Sequence, residues 1–213
     1  MSKFVHNNLE EQDRVKNEDF NRKWILEKGV MNHQVIDVSN LCVSEQDKYD
    51  ASPFHVVWFK NIDRLMNMLS ENIRLKDITF VDVGCGSGIS TLYVADNYNF
   101  KKYIGFDFDP ELIKSAELNR NLFKMGNKSL TFVQENARSY ALPNEKCLLF
   151  MFNPFGLETM KIFIENNLDL LRETASIIAY ANDLCIDYLD SLNTDVKRNE
   201  KFNLSLGAFF FSS

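Results

Sequence analysis

Four residues spaced two apart, Asp82, Gly84, Gly86 and Gly88, stand in the stretch VDVGCGSG, between an apolar run and a helical pattern. Glycine allows a tight turn and lets a ligand approach the backbone, so this loop is typical of a nucleotide-type site. A phosphate-binding P-loop needs Gly-Lys-Ser/Thr, and this loop contains no lysine. A dinucleotide fingerprint needs glycine where this chain has Ile89, so nicotinamide oxidoreductase chemistry is disfavoured.

A second candidate site lies at the end of another apolar run, where FMFNPFG places Asn153 before Pro154. An Asn-Pro pair at this place either turns the chain or contacts a ligand. His55 is a candidate general base by position alone, although a partly buried structural histidine is the commoner case. The four cysteines are scattered and form no CxxC pair. We therefore expect no disulfide and no metal site.

Alternating strands and helices must position these residues. Apolar runs predict strands at 78–83, 102–107, 129–134, 147–152 and 175–181, with helices at 89–98, 110–126, 157–171 and near 183–192. The chain end, FNLSLGAFFFSS, predicts a final strand or part of a hairpin. Repeated β-α units predict an α/β fold whose parallel sheet is covered by helices on both faces. Ligands bind at the carboxyl ends of such strands, where both candidate sites lie.

The N-terminal third has a different pattern. Charged residues with interspersed aromatic and aliphatic ones predict a helix over 9–28, followed by an irregular segment over 29–51. A further helix is expected to begin at Ser52 as its cap and Pro53 as its first residue, because both residue types favour those positions.

The composition is that of a globular protein. Of 213 residues, 45% are hydrophobic and 25% charged, and the formal net charge is -6. A negative chain has no general attraction to nucleic acid or to an anionic membrane. The first twenty residues are polar, unlike a signal peptide, and no apolar run approaches the about 18 residues of a membrane span. We therefore expect a cytoplasmic protein without a nucleic-acid or membrane partner.

The stretch from Asp82 to Gly88 resembles motif I of class I S-adenosylmethionine-dependent methyltransferases, D-x-G-x-G-x-G, and the resemblance extends through most of residues 78–181. It implies S-adenosyl-L-methionine as the cofactor and a Rossmann-like, seven-stranded, mostly parallel sheet. Residues 1–76 would form an N-terminal helical cap and cofactor-covering segment. Residues 77–213 would form the cofactor-binding core, within one compact domain.

The resemblance also implies which residues bind the cofactor. Asp107, at the end of the second strand, would accept both ribose hydroxyls, and Phe106 or Phe108 would pack on the adenine face. The glycine loop would contact the cofactor through Asp82, Gly84, Cys85, Gly86 and Gly88.

The third-strand motif of the family is matched less closely. An acidic residue usually accepts the adenine amino group there, and this chain has Asn136, whose amide oxygen can also accept. The register is open by one residue, so Glu135 is the alternative. Ala137 would offer its backbone N–H to the adenine.

FNPF resembles the (Asn/Asp)-Pro-Pro-(Tyr/Phe) motif of amino-group methyltransferases, without its second proline. A closer resemblance is to a bacterial group with a YNPF-like motif, distantly related to the disruptor-of-telomeric-silencing histone-lysine enzymes. YDASPF is similar to that group's YEPTPY-like segment and retains Tyr49, Asp50, Pro53 and Phe54. By resemblance this segment would cover the methionine end of the cofactor. The predicted catalytic residues are Asn153 and Tyr49. Asn153 would also contact the cofactor.

These features together predict an S-adenosylmethionine-dependent methyltransferase that transfers a methyl group to an N or O acceptor by in-line displacement. The alternative is a cofactor-binding or structural module without turnover. Asn153, Tyr49 and Asp50 favour catalysis over that alternative. The acceptor stays open among a small molecule, a sugar and a protein side chain, because kinship of fold does not carry a substrate.

Overall fold

The computed structural model describes residues 11–32, 34–123, 126, 128–192 and 194–209. Within them the strands are β1 Thr79–Val83, β2 Lys102–Asp107, β3 Leu130–Gln134, β4 Cys147–Phe152, β5 Ile177–Ala181, β6 Asp195–Asn199 and β7 Leu204–Ala208. The α-helices of the same part are α1 Glu11–Lys28, α2 Glu45–Lys48, α3 Phe59–Met68, α4 Ile89–Asn97, α5 Pro110–Leu122, α6 Leu157–Glu173 and α7 Ile186–Asp190.

The seven strands form one sheet in the order β3-β2-β1-β4-β5-β7-β6. Strands β1 to β5 pair in parallel, and β7 is antiparallel to both of its neighbours. The central strand β1 is buried at all five positions, as expected for a strand covered on both faces. The strand order reverses between β1 and β4, and such a switch point opens a crevice for a ligand. The predicted Rossmann-like sheet is confirmed.

Helices cover both faces of this sheet. On one face Phe59 and Leu65 of α3 pack with Phe80 of β1, and α1 joins the same core. On the other face Phe163 of α6 packs with Leu149 of β4. Burial of each such side chain contributes about 1.5–3 kcal/mol to folding. The N-terminal helices and the sheet thus share a core, and the predicted division at residue 76 stays a prediction.

The helix predicted to begin at Ser52 starts later. Ser52 and Pro53 belong to an extended stretch, and α3 begins at Phe59. Asn21 of α1 fixes this start, because its amide donates to the carbonyl oxygen of Val57 (2.7 Å) and accepts the N–H of Phe59 (2.8 Å). A side chain from another helix therefore supplies the cap that the local pattern had suggested for Ser52.

Most of the other predicted elements lie within one or two residues of their expected bounds, and the helix expected near 183–192 is the shorter α7, Ile186–Asp190. The second helix of the sheet region ends at Leu122 rather than 126, with residues 124–125 outside the described part. The chain end, expected as a final strand or part of a hairpin, forms β7, which pairs antiparallel with β6. Residues 9–10 of the predicted first helix and 210–213 of the predicted last strand also lie outside the described residues. Among the described helices, none combines the length and the apolar character that a membrane crossing requires.

Candidate functional site

The glycine loop connects β1 to α4 in a backbone conformation that glycine favours. Gly84, Gly86 and Gly88 have φ of 71°, 52° and 75°, in the left-handed region. The N–H groups of Gly84 and Cys85 both donate to the carbonyl oxygen of Phe106, at 2.9 and 3.0 Å. The loop is therefore tied to β2 and presents its edge at the carboxyl ends of the strands.

Two of these glycines also make room for other parts of the chain. A Cβ at Gly86 would stand 2.2 Å from the ring of Phe54, and one at Gly84 would stand 2.5 Å from Cβ of Pro154. The sequence suggested that glycine lets a ligand approach the backbone. At these two positions the structure shows close approach by the protein's own side chains.

Asp107 ends β2 beside the loop. Its Oδ2 accepts the N–H of Gly86 (2.9 Å), and its Oδ1 accepts the N–H of Asp109 (3.0 Å). The carboxyl group is 7% exposed, and burial raises its pKa to about 6, against the opposing effect of these hydrogen bonds. The backbone N–H of Phe108 also donates to this carboxylate, so one of its about four lone-pair sites remains to accept a hydroxyl proton from a ligand.

Asp82 caps the helix that follows the loop. Its Oδ2 accepts the hydroxyl of Thr91 (2.6 Å), and the backbone N–H of Thr91 also donates to it. This caps α4, whose N-cap residue Gly88 has no side chain for the purpose. Burial, with a smaller contribution from the negative charge of Asp107, raises the pKa of Asp82 to about 7.

A pocket runs along the carboxyl edge of the sheet. It encloses about 960 Å³ free of protein atoms, a volume that includes space open to solvent. The predicted cofactor-binding residues that line it are Asp82, Gly84, Cys85, Asp107, Phe108, Asn136 and Ala137. The predicted residues that do not line it are Gly86, Gly88, Tyr49 and Asn153.

The end of β3 supplies the polar groups at one side of the pocket. The amide of Asn136 donates to Oδ1 of Asp47 (2.9 Å), and its oxygen accepts the N–H of Arg138 (2.9 Å). Glu135 is exposed and accepts the hydroxyl of Ser139 (2.9 Å). The amide oxygen of Asn136 therefore has one lone pair left for a ligand, and Glu135 is the freer of the two alternatives.

The apolar groups at this side differ in how accessible they are. Phe106 is 1% exposed and stacks on Tyr140 with ring centroids 3.9 Å apart, whereas Phe108 is only half-buried. Phe108 is thus the ring better placed to meet a ligand. Ala137 is buried and lines the same region. Burial raises the pKa of the Cys85 thiol well above its usual value, so no reactive thiolate is expected there.

The two motifs that resembled the bacterial group lie against each other. We name residues 49–56 the cover segment and residues 152–156 the β4 turn. The N–H of Ser52 donates to the carbonyl oxygen of Pro154 (3.1 Å). With Phe54 on the glycine loop, the cover segment lies across the ends of β1 and β4. Nothing in the sequence pattern indicated that these two motifs touch.

Asp50 attaches the cover segment to the β4 turn and to α6. Its backbone carbonyl accepts the N–H of Gly156 (2.8 Å), and its Oδ2 accepts the N–H of Thr159 (2.7 Å). The N-cap of α6 is Gly156, which has no side chain, so Asp50 supplies the missing cap from a distance. Asp50 also lines the pocket.

The two predicted catalytic residues do not line the pocket. Asn153 has φ of 43°, and its Oδ1 accepts the hydroxyl of Tyr180 (3.0 Å). Burial raises the pKa of Tyr180 far above its usual value, so the phenol stays protonated and keeps donating. Tyr49 is 78% exposed. The catalytic roles of Asn153 and Tyr49 stay predictions.

Two further residues line the pocket. Burial lowers the pKa of His55, against the opposing charge of Asp37, so its imidazole is neutral near pH 7. Ser87, which the sequence analysis missed, is 1% exposed in the middle of the glycine loop. Its place between two loop glycines was the one sequence signal that could have indicated it.

Residues 80–176, which run from β1 into the loop before β5, match the model of a methyltransferase domain family. No curated protein matches the sequence at a significant level. Many solved structures are similar in fold, and three of them show how low the sequence identity is.

The M. jannaschii tRNA m1G37 methyltransferase is 18% identical over 73% of this chain and 50% of that chain, with a TM-score of 0.50. An S-adenosylmethionine-dependent methyltransferase from Aquifex aeolicus is 17% identical, over 70% of this chain and 87% of that chain (TM-score 0.48). The Synechocystis PCC 6803 magnesium protoporphyrin IX methyltransferase, solved with bound S-adenosylmethionine, is 14% identical over 70% and 77% (TM-score 0.49). The family match and the order of the strands agree: residues 80–176 are similar to a methyltransferase domain, and the sheet has the corresponding Rossmann-like fold.

Proposed function

We propose that this protein transfers a methyl group from S-adenosylmethionine to a nitrogen or oxygen acceptor. The observation that carries the proposal is Asp107, a buried carboxylate fixed by backbone N–H groups at the end of β2 and lining the pocket. When bound, the cofactor supplies a methyl group on a sulfonium, which an acceptor lone pair can displace in line. The protein's task is then to position both partners and to exclude water.

The order of the strands supports an extended ligand lying across the carboxyl edge. The neighbours β3, β2, β1 and β4 would meet in turn the adenine, the ribose, the methionine moiety and the acceptor. The residue types fit these groups: an aromatic ring at Phe108, a carboxylate at Asp107 and backbone N–H groups at the start of α4.

The acceptor would approach where the cover segment meets the β4 turn. The two oxygens that would recognise an amine, Oδ1 of Asn153 and the carbonyl of Pro154, already accept hydrogen bonds from Tyr180 and Ser52. Each keeps a second lone pair that an acceptor could use. Neutral His55 can take up a proton from an acceptor that arrives protonated.

The identity of the acceptor is a separate question. A small molecule, a sugar and a protein side chain remain the candidates, and the kinship to histone-lysine enzymes stays a prediction. The M. jannaschii protein is a tRNA m1G37 methyltransferase, but its likeness to this chain concerns the fold alone. The net charge of -6 continues to argue against a nucleic-acid acceptor.

One observation favours the second candidate, a cofactor-binding module without turnover. Neither predicted catalytic residue lines the pocket: the side chain of Asn153 is bonded to Tyr180, and Tyr49 is mostly exposed. Both candidates require cofactor binding. Transfer of a labelled methyl group to a cell extract, with heat-inactivated protein as the blank, distinguishes them.

The cofactor assignment is tested at Asp107. Asp107→Asn removes the negative charge but keeps an oxygen acceptor, and it should weaken S-adenosylhomocysteine binding at least tenfold, or about 1.4 kcal/mol. The measurement is titration calorimetry on variants whose folding is checked by melting temperature. Asp77→Asn, which changes an exposed carboxylate just before β1, is the matched control. A wild-type protein that does not bind S-adenosylhomocysteine would end the proposal, and an unchanged affinity in Asp107→Asn would remove the ribose role.

A further inference from the structure

One buried side-chain oxygen at the carboxyl edge of the sheet has no hydrogen-bond partner within the part of the chain that the structure describes. Asn182, which directly follows β5, is 4% exposed, and its Oδ1 is buried and accepts from no described group. Buried side-chain oxygens are normally hydrogen-bonded. An unpartnered one beside a candidate site therefore indicates a partner that the chain does not supply.

Asn182 occupies on β5 the position that Asn153 occupies on β4. The last residues of these two parallel strands, Phe152 and Ala181, are paired, and an asparagine follows each of them. Phe152 and Pro154, on either side of Asn153, line the pocket. Neighbouring strands are about 4.8 Å apart, so Asn182 lies one strand beyond the pocket wall, on the side where the acceptor is expected.

The two asparagines share a backbone conformation but differ in what their side chains do. Their φ angles are 43° for Asn153 and 52° for Asn182, both in the left-handed region. Oδ1 of Asn153 accepts the hydroxyl of Tyr180 (3.0 Å), whereas Oδ1 of Asn182 accepts nothing from the described residues. An amide oxygen has two lone pairs. Asn153 therefore keeps one lone pair for a ligand, and Asn182 keeps both.

The backbone on which Asn182 sits is held in place by β6 and β7. The carbonyl oxygen of Asn182 accepts the N–H of Leu184 (2.8 Å). The next residue, Asp183, is 3% exposed; its carboxylate accepts the hydroxyl of Ser205 and pairs with the guanidinium of Arg198 (Nε–Oδ2, 3.2 Å). The turn after β5 is thus fixed before a ligand arrives, which lowers the cost of binding one there.

We propose that Asn182 binds the methyl acceptor, with Oδ1 accepting a hydrogen bond from an N–H or O–H of the group that is methylated. Such a bond directs the acceptor's lone pair and so favours in-line transfer. A carboxamide stays neutral, so Asn182 positions the acceptor and takes up no proton. The sequence pattern gave the acceptor contact to Asn153, and the hydrogen bonds of the folded chain give it to its neighbour on β5. This inference rests on the proposed function.

Asn182→Gly tests it, because glycine removes the carboxamide and keeps the left-handed turn. The assay follows transfer of a labelled methyl group from S-adenosylmethionine to a dilution series of cell extract. The extract concentration that gives half-maximal labelling should rise about tenfold. The affinity for S-adenosylhomocysteine, measured by titration calorimetry, should stay unchanged. Asn203→Gly makes the same change at another left-handed asparagine (φ of 51°), between β6 and β7, and should alter neither quantity.

Melting temperature and a conservative variant separate recognition from support of the fold. Because the oxygen of Asn182 bonds to no described group, its loss should move the melting temperature by less than about 4 °C. Asn182→Asp keeps an oxygen acceptor in a side chain of the same shape and should recover most of the lost transfer. This second variant also provides the test if the glycine variant folds poorly.

Each outcome bears on one claim. Wild-type labelling by Asn182→Gly overturns the role of Asn182 and leaves the proposed function standing. A loss of transfer that is matched by losses of melting temperature and of S-adenosylhomocysteine affinity also overturns it, because the amide would then only support the fold. If the wild-type protein labels nothing in the extract, the proposed function itself fails, and this inference fails with it.

Discussion

Asn153 combines a rare backbone conformation with a fixed side chain. Its φ of 43° lies in the left-handed region, which asparagine adopts more readily than most residues other than glycine. Its side-chain oxygen accepts the hydroxyl of Tyr180 across 3.0 Å. The sequence left a turn and a ligand-facing role as alternatives, and substitutions can separate the conformation from the side chain.

Asn153→Gly keeps the left-handed turn and loses the hydrogen bond, whereas Asn153→Ala loses both. We expect the alanine variant to be less stable than the glycine variant by about 1 kcal/mol in urea unfolding. Tyr180→Phe removes the same hydrogen bond from the other side and should cost about 1 kcal/mol on its own. If both Asn153 variants keep wild-type stability and cofactor affinity but lose methyl transfer, Asn153 contacts the methyl acceptor and does not stabilise the turn.

For individual residues, the sequence indicated which residues belong to the site more readily than which residues they form hydrogen bonds with. Asp107 and the glycines were indicated by the resemblance to the family's motifs, whose spacing is local because they lie within one strand-helix-strand unit, β1-α4-β2. Tyr180, 27 residues after Asn153, could not, because only the pairing of β4 with β5 brings the two together. Ser87 gave no signal beyond its position, since the lack of a described hydrogen-bond partner for its buried hydroxyl is a property of the folded loop.

Aspartates cap the helices that follow three strands of the sheet, by two different routes. Asp109 caps α5 from the N-cap position itself, as Asp-Pro in the sequence predicts. The other two helices have glycine at the N-cap, and their caps come from elsewhere. Asp82 of β1 accepts the hydroxyl and the backbone N–H of Thr91 in α4. Asp50 of the cover segment accepts the backbone N–H of Thr159 in α6.

Asp50→Ala tests the distant cap. It should lower the free energy of unfolding by about 1 kcal/mol and speed amide hydrogen exchange at Thr159, because that N–H loses its acceptor. Asp50→Asn keeps an oxygen and should recover most of the loss. Asp109→Ala, at a cap within its own helix, sets the scale for comparison. Wild-type exchange at Thr159 in Asp50→Ala would mean that the carboxylate does not cap α6.

Helices and strands could be predicted where a local sequence pattern determines them, and could not where a contact with a distant part of the chain does. Strands β1 to β5 could be predicted because apolar runs between turns are typical of buried parallel strands. The start of α3 could not, because Asn21 caps it from α1. Strand β6 gave no signal, since DVKRN is a polar edge strand with no fully buried position.

The whole molecule is organised by contacts between its N-terminal region and the carboxyl edge of the sheet. The pairs are Met31 with Asn119, Cys42 with Asp109, Asp47 with Asn136, and Ser52 with Pro154. Each pair is separated by 67 residues or more. No local pattern indicates such pairs, which is why the sequence predicted a covering segment but none of the contacts that hold it.

Two buried carboxyl groups sit under this covered edge, Asp107 with a pKa of about 6 and Asp82 with a pKa of about 7. Burial is the main cause for both, and an unfolded aspartate titrates near about 3.9. The folded state therefore binds these protons more tightly than the unfolded state. Their contribution to stability is fully present below about pH 4 and is lost as the pH rises to 6 for Asp107 and 7 for Asp82.

Asp82→Asn isolates the second of these groups in the ligand-free protein. The asparagine cannot ionise and can still accept the hydroxyl of Thr91, so it avoids burying a charge at neutral pH. The free energy of unfolding of the wild type, minus that of the variant, should therefore fall as the pH rises from 5 to 7 and then level off. The slope of this difference against pH approaches about 1.4 kcal/mol per pH unit in the range where Asp82 is protonated in the folded state and ionised in the unfolded state. Urea unfolding at half-unit steps measures it, with Asp77→Asn as the charge-matched control. A difference that stays constant or grows with pH would mean that the carboxyl of Asp82 is not held in the buried environment described here.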